Sequence, residues 1–117
     1  MKKIIIVDDD PAIADAIQMV FDCTLFDVTV YKNATVILNN IYEPPDLFIL
    51  DKQLSGVDGL DVCRQLKSQE TTRHIPVIML SASQHLERIT RDAGADDFIE
   101  KPFPIDVLRG MVAKYTS

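Results

Sequence analysis

Three runs of four consecutive apolar residues stand out along the chain: Ile4-Ile5-Ile6-Val7, Leu47-Phe48-Ile49-Leu50 and Val77-Ile78-Met79-Leu80. A strand that is apolar at every position must be covered on both faces, so these runs predict the middle of a parallel sheet. With two weaker runs they give five β-type segments, residues 3–7, 28–31, 47–50, 76–80 and 97–99. Between them the apolar period lengthens to that of a helix. The stripes are Ile13, Ile17 and Val20-Phe21; Ala34, Ile37-Leu38 and Ile41; Leu60, Cys63 and Leu66; Leu86, Ile89 and Ala93; and Ile105, Leu108, Val112 and Tyr115. Asp10-Pro11 reads as a helix cap followed by a first-turn proline, Asn33 and Asp58 as further caps, and Gly94 as a helix stop. Glu43-Pro44-Pro45 is loop, because a residue before proline avoids the helical region.

The order is therefore β-α repeated five times. Right-handed crossovers then place helices on both faces of one parallel sheet, an α/β three-layer architecture. The length of 117 residues suits one compact domain over the whole chain, 1–117, with no internal repeat or linker. No apolar run exceeds four residues, which leaves neither a membrane span nor a secretory signal core. The formal charge of −6 argues against direct nucleic-acid binding, since phosphate backbones require clustered Lys and Arg. Cys23 and Cys63 have no CxxC spacing and read as free thiols of a reducing cytoplasm.

The chemistry lies in the polar residues that stand immediately after the buried strands. Asp8, Asp9 and Asp10 come after the first, Asp51 after the third, Ser81 after the fourth, and Glu100, Lys101 and Pro102 after the fifth. In an open parallel sheet these positions share the carboxyl edge, where such folds bind ligands. Three carboxylates, one hydroxyl and one ammonium should therefore converge. Asp8, Asp9 and Asp51 bring three negative charges and Lys101 returns one positive charge. The remainder calls for a divalent cation, and an all-oxygen site selects a hard one such as Mg²⁺ or Mn²⁺. With the cation present, such a pocket suits a phosphoryl group.

These residues, in this order, resemble the receiver domain of two-component response regulators. The match rests on Ile4–Val7 with Asp8-Asp9, Asp51 after Leu50, Ser81-Ala82, and Lys101-Pro102-Phe103, preceded by Gly94-Ala95-Asp96-Asp97-Phe98. It runs from about Lys2 to the end of the chain. The resemblance implies a flavodoxin-like, doubly wound five-stranded sheet in the order 2-1-3-4-5. It makes Asp51 the phosphoacceptor and gives Mg²⁺ the ligands Asp8, Asp9, Asp51 and the backbone carbonyl of Gln53. Lys101, Ser81 and the backbone of Ala82 would hold the phosphoryl oxygens, and the Lys101–Pro102 bond would be cis. Ser81 and Phe98 would be the switch residues. The donor would be the phosphohistidine of a sensor histidine kinase or a histidine phosphotransfer protein. The readout would be a changed face of the fourth helix, fifth strand and fifth helix, passed to an effector protein or a C-terminal output domain. Dimerisation of the phosphorylated form through the fourth and fifth helices stays open.

The chain also departs from the family pattern. Leu54-Ser55 stands where the family commonly has Met-Pro, which predicts a less rigid loop, with Asp58-Gly59 keeping the turn into the third helix. The stretch from Ser81 to Gly94 is slightly shorter than in many members. Gln53 and Ser83 occupy positions that tend to tune dephosphorylation, and Lys52, His74 and His85 read as surface residues. Other functions fit less well. A metal-dependent phosphohydrolase wants a second acid two residues after its nucleophile, where this chain has Gln53. A flavodoxin-type cofactor binder needs a phosphate-cradling loop after the first strand, where three aspartates stand instead. The remaining alternative to a signalling switch, itself not a turnover enzyme, is a receiver-like interaction module that is never phosphorylated.

Overall fold

A computed structural model of the chain describes residues 1–21, 25–54, 56–82 and 87–117. Cys23, Ser55, Ser83, His85 and Leu86, each part of the sequence reading, lie outside the described residues. The elements run β1 (Lys2–Val7), α1 (Pro11–Val20), β2 (Phe26–Tyr31), α2 (Thr35–Leu38), β3 (Leu47–Asp51), β4 (Gln53–Leu54), β5 (Val57–Asp58), α3 (Gly59–Ser68), β6 (Val77–Ser81), α4 (Glu87–Asp92), β7 (Asp97–Glu100) and α5 (Ile105–Thr116). Five strands pair in parallel in the order β2-β1-β3-β6-β7, and β4 and β5 form a separate antiparallel pair. With the small pair set aside, this is the doubly wound flavodoxin-like order.

Alternation along each strand divides the core into two layers. Ile5, Val7, Phe48, Leu50, Val77 and Met79 face one side, where Ile37 of α2 and Leu60, Cys63 and Leu66 of α3 cover them. Ile4, Ile6, Leu47, Ile49, Ile78 and Leu80 face the other, against Ile17 of α1 and Leu108 and Val112 of α5. The central strands thus need no polar face, as their composition implies.

Two helix starts behave as their sequences predict. The Asp10 carboxylate accepts from the Ala12 N–H at 3.0 Å, with Pro11 in the first turn. Asp58 does the same for Leu60 at 2.9 Å. Asn33 accepts from the Thr35 N–H at 3.0 Å, and the Gly94 N–H donates to the Arg91 carbonyl at the end of α4.

Two stripes differ from expectation. The second helix ends at Leu38, and Ile41 is exposed rather than part of its buried face. Asn39-Asn40 breaks the helix there, with Asn40 in the left-handed region that asparagine tolerates (φ 57°). In α4 the buried residue is Thr90, while Ile89 is exposed. The Thr90 hydroxyl donates to the Glu87 carbonyl at 2.9 Å, so its burial leaves no proton unsatisfied.

At the amino end of the sheet two aspartates clasp neighbouring strands. Asp46, just before β3, takes the Lys3 N–H on its carboxylate (2.8 Å) and gives its own N–H to the Lys3 carbonyl (2.8 Å). Asp96, just before β7, does the same with Val77 at 2.9 Å in each direction, and its carboxylate also holds Lys67 Nζ at 2.7 Å.

Tyr42 packs edge-to-face on Phe48, with ring centroids 5.8 Å apart, and its buried hydroxyl has no hydrogen-bond partner among the described residues. An unsatisfied buried donor destabilises, so Tyr42→Phe is expected to raise stability by about 1 kcal/mol. Urea unfolding of the two proteins checks this, and a less stable variant would contradict it.

Candidate functional site

Parallel pairing sets the site. The β1–β3 register places Val7 beside Leu50, so their successors in the chain, Asp8 and Asp51, come side by side. Asp51 in turn lies beside Leu80, and Ser81 beside Glu100, which brings Lys101 to the same edge. The Lys101 N–H donates to the Ser81 carbonyl at 2.6 Å, and the Lys101–Pro102 peptide bond is cis. From that anchor the Lys101 ammonium reaches Asp8 Oδ2 at 2.9 Å and Asp51 Oδ2 at 3.2 Å. The other carboxylate oxygens are held by the backbone. Asp8 Oδ1 accepts from the Asp10 N–H at 2.9 Å, and Asp51 Oδ1 from the Gln53 N–H at 3.3 Å.

Asp8 is 1% exposed and Asp51 6%, whereas Asp9 is open to solvent. Burial raises the pKa of Asp51, and the Asp8 charge raises it further; Lys101 and the Gln53 N–H oppose this without cancelling it. Burial alone would pull Lys101 down, yet its hydrogen bond to Asp8 and the two carboxylate charges hold its pKa above the ordinary lysine value. Lys101 therefore stays an ammonium across the neutral range.

One oxygen from each of Asp8, Asp9 and Asp51 lies within 4.8 Å of the others. These are hard oxygen donors with two negative charges left after Lys101 is counted, and they fit a hard divalent cation. The carboxylates border an open cleft of about 480 Å³ lined by Asp9, Asp10, Asp51, Gln53, Leu54, Ala82 and Lys101.

Of the residues predicted for the site, Asp8, Asp9, Asp51 and Lys101 come together, and Gln53 and Ala82 line the cleft. Ser81 is buried at the end of β6, next in the chain to Ala82, which lines the cleft. Phe98 is half-buried and packs on the layer that contains Leu50 and Met79. In the loop after Asp51 the β4 and β5 segments pair, and Gly56 has φ 74°, in the left-handed region that favours glycine.

Sequence reasoning missed the part played by Gly59. A β-carbon there would lie 2.0 Å from the Asp51 carbonyl oxygen. Its only signal in the sequence was the Asp58-Gly59 turn. Nothing in one dimension shows that the turn rests on Asp51.

A family profile of the response regulator receiver domain matches residues 4–113. The chain belongs to this family. The receiver is 36% identical over 118 aligned positions to the DNA-binding dual master transcriptional regulator RpaA of Synechocystis, covering 96% of this chain and 48% of RpaA. It spans about half the length of the curated relatives it matches. Among solved structures, the signal receiver domain of a signal transduction histidine kinase from Syntrophus aciditrophicus superposes with TM-score 0.87 at 32% identity, over 99% of this receiver and 90% of that chain. Response regulator TrrA of Thermotoga maritima, in complex with Mg²⁺-BeF, superposes with TM-score 0.84 at 27% identity, over 98% of this receiver and 99% of TrrA.

Proposed function

We propose that this receiver accepts a phosphoryl group on Asp51 from the phosphohistidine of a sensor histidine kinase or histidine phosphotransfer protein. The observation that carries the reading is the single ammonium of Lys101 shared between Asp8 and Asp51 at the carboxyl edge of the sheet. In the transfer an Asp51 carboxylate oxygen forms the bond to phosphorus as the phosphorus–nitrogen bond of the donor breaks, and the leaving imidazole nitrogen takes its proton from solvent. Lys101 moves from the carboxylates to a phosphoryl oxygen, so the charge shared between Asp8 and Asp51 also offsets the charge of the product. Asp8, Asp9, Asp51 and the Gln53 carbonyl would hold Mg²⁺ or Mn²⁺, which supplies further neutralisation of the phosphoryl oxygens when bound. TrrA, a relative with the same fold, binds Mg²⁺ with BeF, which supports this assignment.

The aspartyl phosphate then biases a two-state surface, with Ser81 and the Ala82 N–H drawn to the phosphoryl group and Phe98 changing rotamer. The readout is the face formed by α4, β7 and α5. Two of the exposed apolar side chains, Ile89 on α4 and Val107 on α5, lie on its helices. The signal passes to an effector protein or to an output domain of the DNA-binding kind named for RpaA. In this role the receiver is a switch, not an enzyme of multiple turnover.

Intact-protein mass spectrometry after incubation with acetyl phosphate tests the reading. One phosphoryl adduct that forms with Mg²⁺ and not with EDTA is the expected result. No adduct and no cation binding would leave a receiver-shaped interaction module.

A further inference from the structure

We infer that Gly59 is a positioning residue for the cation and phosphoacceptor site, acting through the backbone of Asp51. This rests on the proposed function, because it concerns the same carboxylate.

Gly59 is the first residue of α3 and is buried. An ideal β-carbon there would stand 2.0 Å from the Asp51 carbonyl oxygen and 2.9 Å from both the Asp51 carbonyl carbon and Lys52 Cα. All three obstacles are backbone, so no side-chain rotation relieves the clash. Its φ is not in the left-handed region, so the requirement for glycine is close approach alone. The contact is also bonded: the Gly59 N–H donates to the Lys52 carbonyl at 2.7 Å. The segment from Asp51 to Gly59 is thus a closed loop, stapled at its base and braced by the Gln53–Asp58 and Leu54–Val57 pairs. That loop carries two proposed cation ligands, the Asp51 carboxylate and the Gln53 carbonyl, together with the Gln53 N–H that holds Asp51 Oδ1. The start of α3 therefore fixes the angle at which Asp51 presents its carboxylate. A methyl group at position 59 must push the Asp51–Lys52 peptide away and tilt both ligands.

The test compares Gly59→Ala with Leu108→Ala, which removes a fully buried side chain in the opposite apolar layer. Mg²⁺ affinity is measured by calorimetry at a temperature where circular dichroism shows each protein folded. Supporting groups around a metal site alter affinity by about 10- to 100-fold. Gly59→Ala is expected to bind Mg²⁺ about tenfold or more weakly, with Leu108→Ala unchanged. Unchanged affinity in folded Gly59→Ala overturns the inference.

Amide exchange of the wild-type protein gives a second reading that needs no folded variant. Mg²⁺ should slow exchange of the Gly59 N–H more than that of Leu108, since coupling between two sites is reciprocal. Equal effects on the two amides would also overturn it. A wild-type protein that binds no Mg²⁺ defeats the proposed function itself, a result distinct from either of these.

Discussion

Replacing Asp51 by Asn is expected to abolish the phosphoryl adduct and, in metal-free buffer at neutral pH, to make the receiver more stable. The first effect arises because an amide is no nucleophile toward phosphorus. The second arises from the electrostatics of the buried carboxylates. Asp51 is 6% exposed and shares one ammonium with Asp8, and burial followed by the Asp8 charge raises its pKa. A carboxyl whose pKa is raised on folding binds protons more readily in the folded state, so its ionisation costs stability. The cost is absent below its ordinary value, grows as the pH rises through the folded pKa and is complete above it. Asparagine keeps the shape and can still accept from the Gln53 N–H, without the charge. The stability difference should therefore be largest at neutral pH and narrow on acidification. Urea unfolding in EDTA at several pH values measures it, and a wild-type protein more stable than the variant at pH 7 would contradict the argument. Saturating Mg²⁺ should reverse the order, because a ligand that binds only the folded wild type stabilises it by mass action.

Lys101→Ala acts in the opposite direction. It leaves Asp8, 1% exposed, and Asp51 facing each other with no counter-charge in reach among the described residues. Removing one partner of a buried ion pair costs about 3–5 kcal/mol, and the lower end applies because the Lys101 side chain is still 16% exposed to the cleft. Thermal unfolding in EDTA should show the loss, and Mg²⁺ should restore part of it by supplying positive charge to the same carboxylates. Phosphorylation by acetyl phosphate should still occur, slowed about 10²-fold, the usual effect of removing one donor to a developing anion. An unchanged rate would remove Lys101 from the transfer.

The two variants bear on different parts of what the sequence made legible. The five main strands could be read because each central one is apolar throughout, and the site because its members stand directly after those strands. The β4–β5 pair was missed because two-residue strands leave no periodic trace. The early end of α2 is hidden in the sequence because the apolar spacing of Ala34, Ile37 and Ile41 continues past Asn39-Asn40, where the helix stops. In α4 an apolar pattern nominated Ile89, while the chain buries Thr90 by satisfying its hydroxyl locally. The contact of Gly59 with Asp51 depends on the three-dimensional path of the chain and has no counterpart in spacing.

The Asp46 and Asp96 clasps also bear on how the strands find their alignment. In β1, β3 and β6 a slip of one residue would exchange one apolar layer for the other within each four-residue run, and a polar side chain would enter the core only at the ends of the run. Alternation, which fixes alignment in most half-buried sheets, is therefore silent within these runs. The correct pairing is distinguished at the strand ends. Asp46 fits both backbone groups of Lys3, and Asp96 both groups of Val77, only in the native alignment. At the opposite edge Lys101 meets Asp8 and Asp51 only there as well. A shift of one residue displaces a strand by about 3.3 Å along its neighbour, which would break whichever of these contacts spans the shifted pair. The interior supplies the driving force for collapse, and a few charged residues at its margins act as a vernier that selects one alignment.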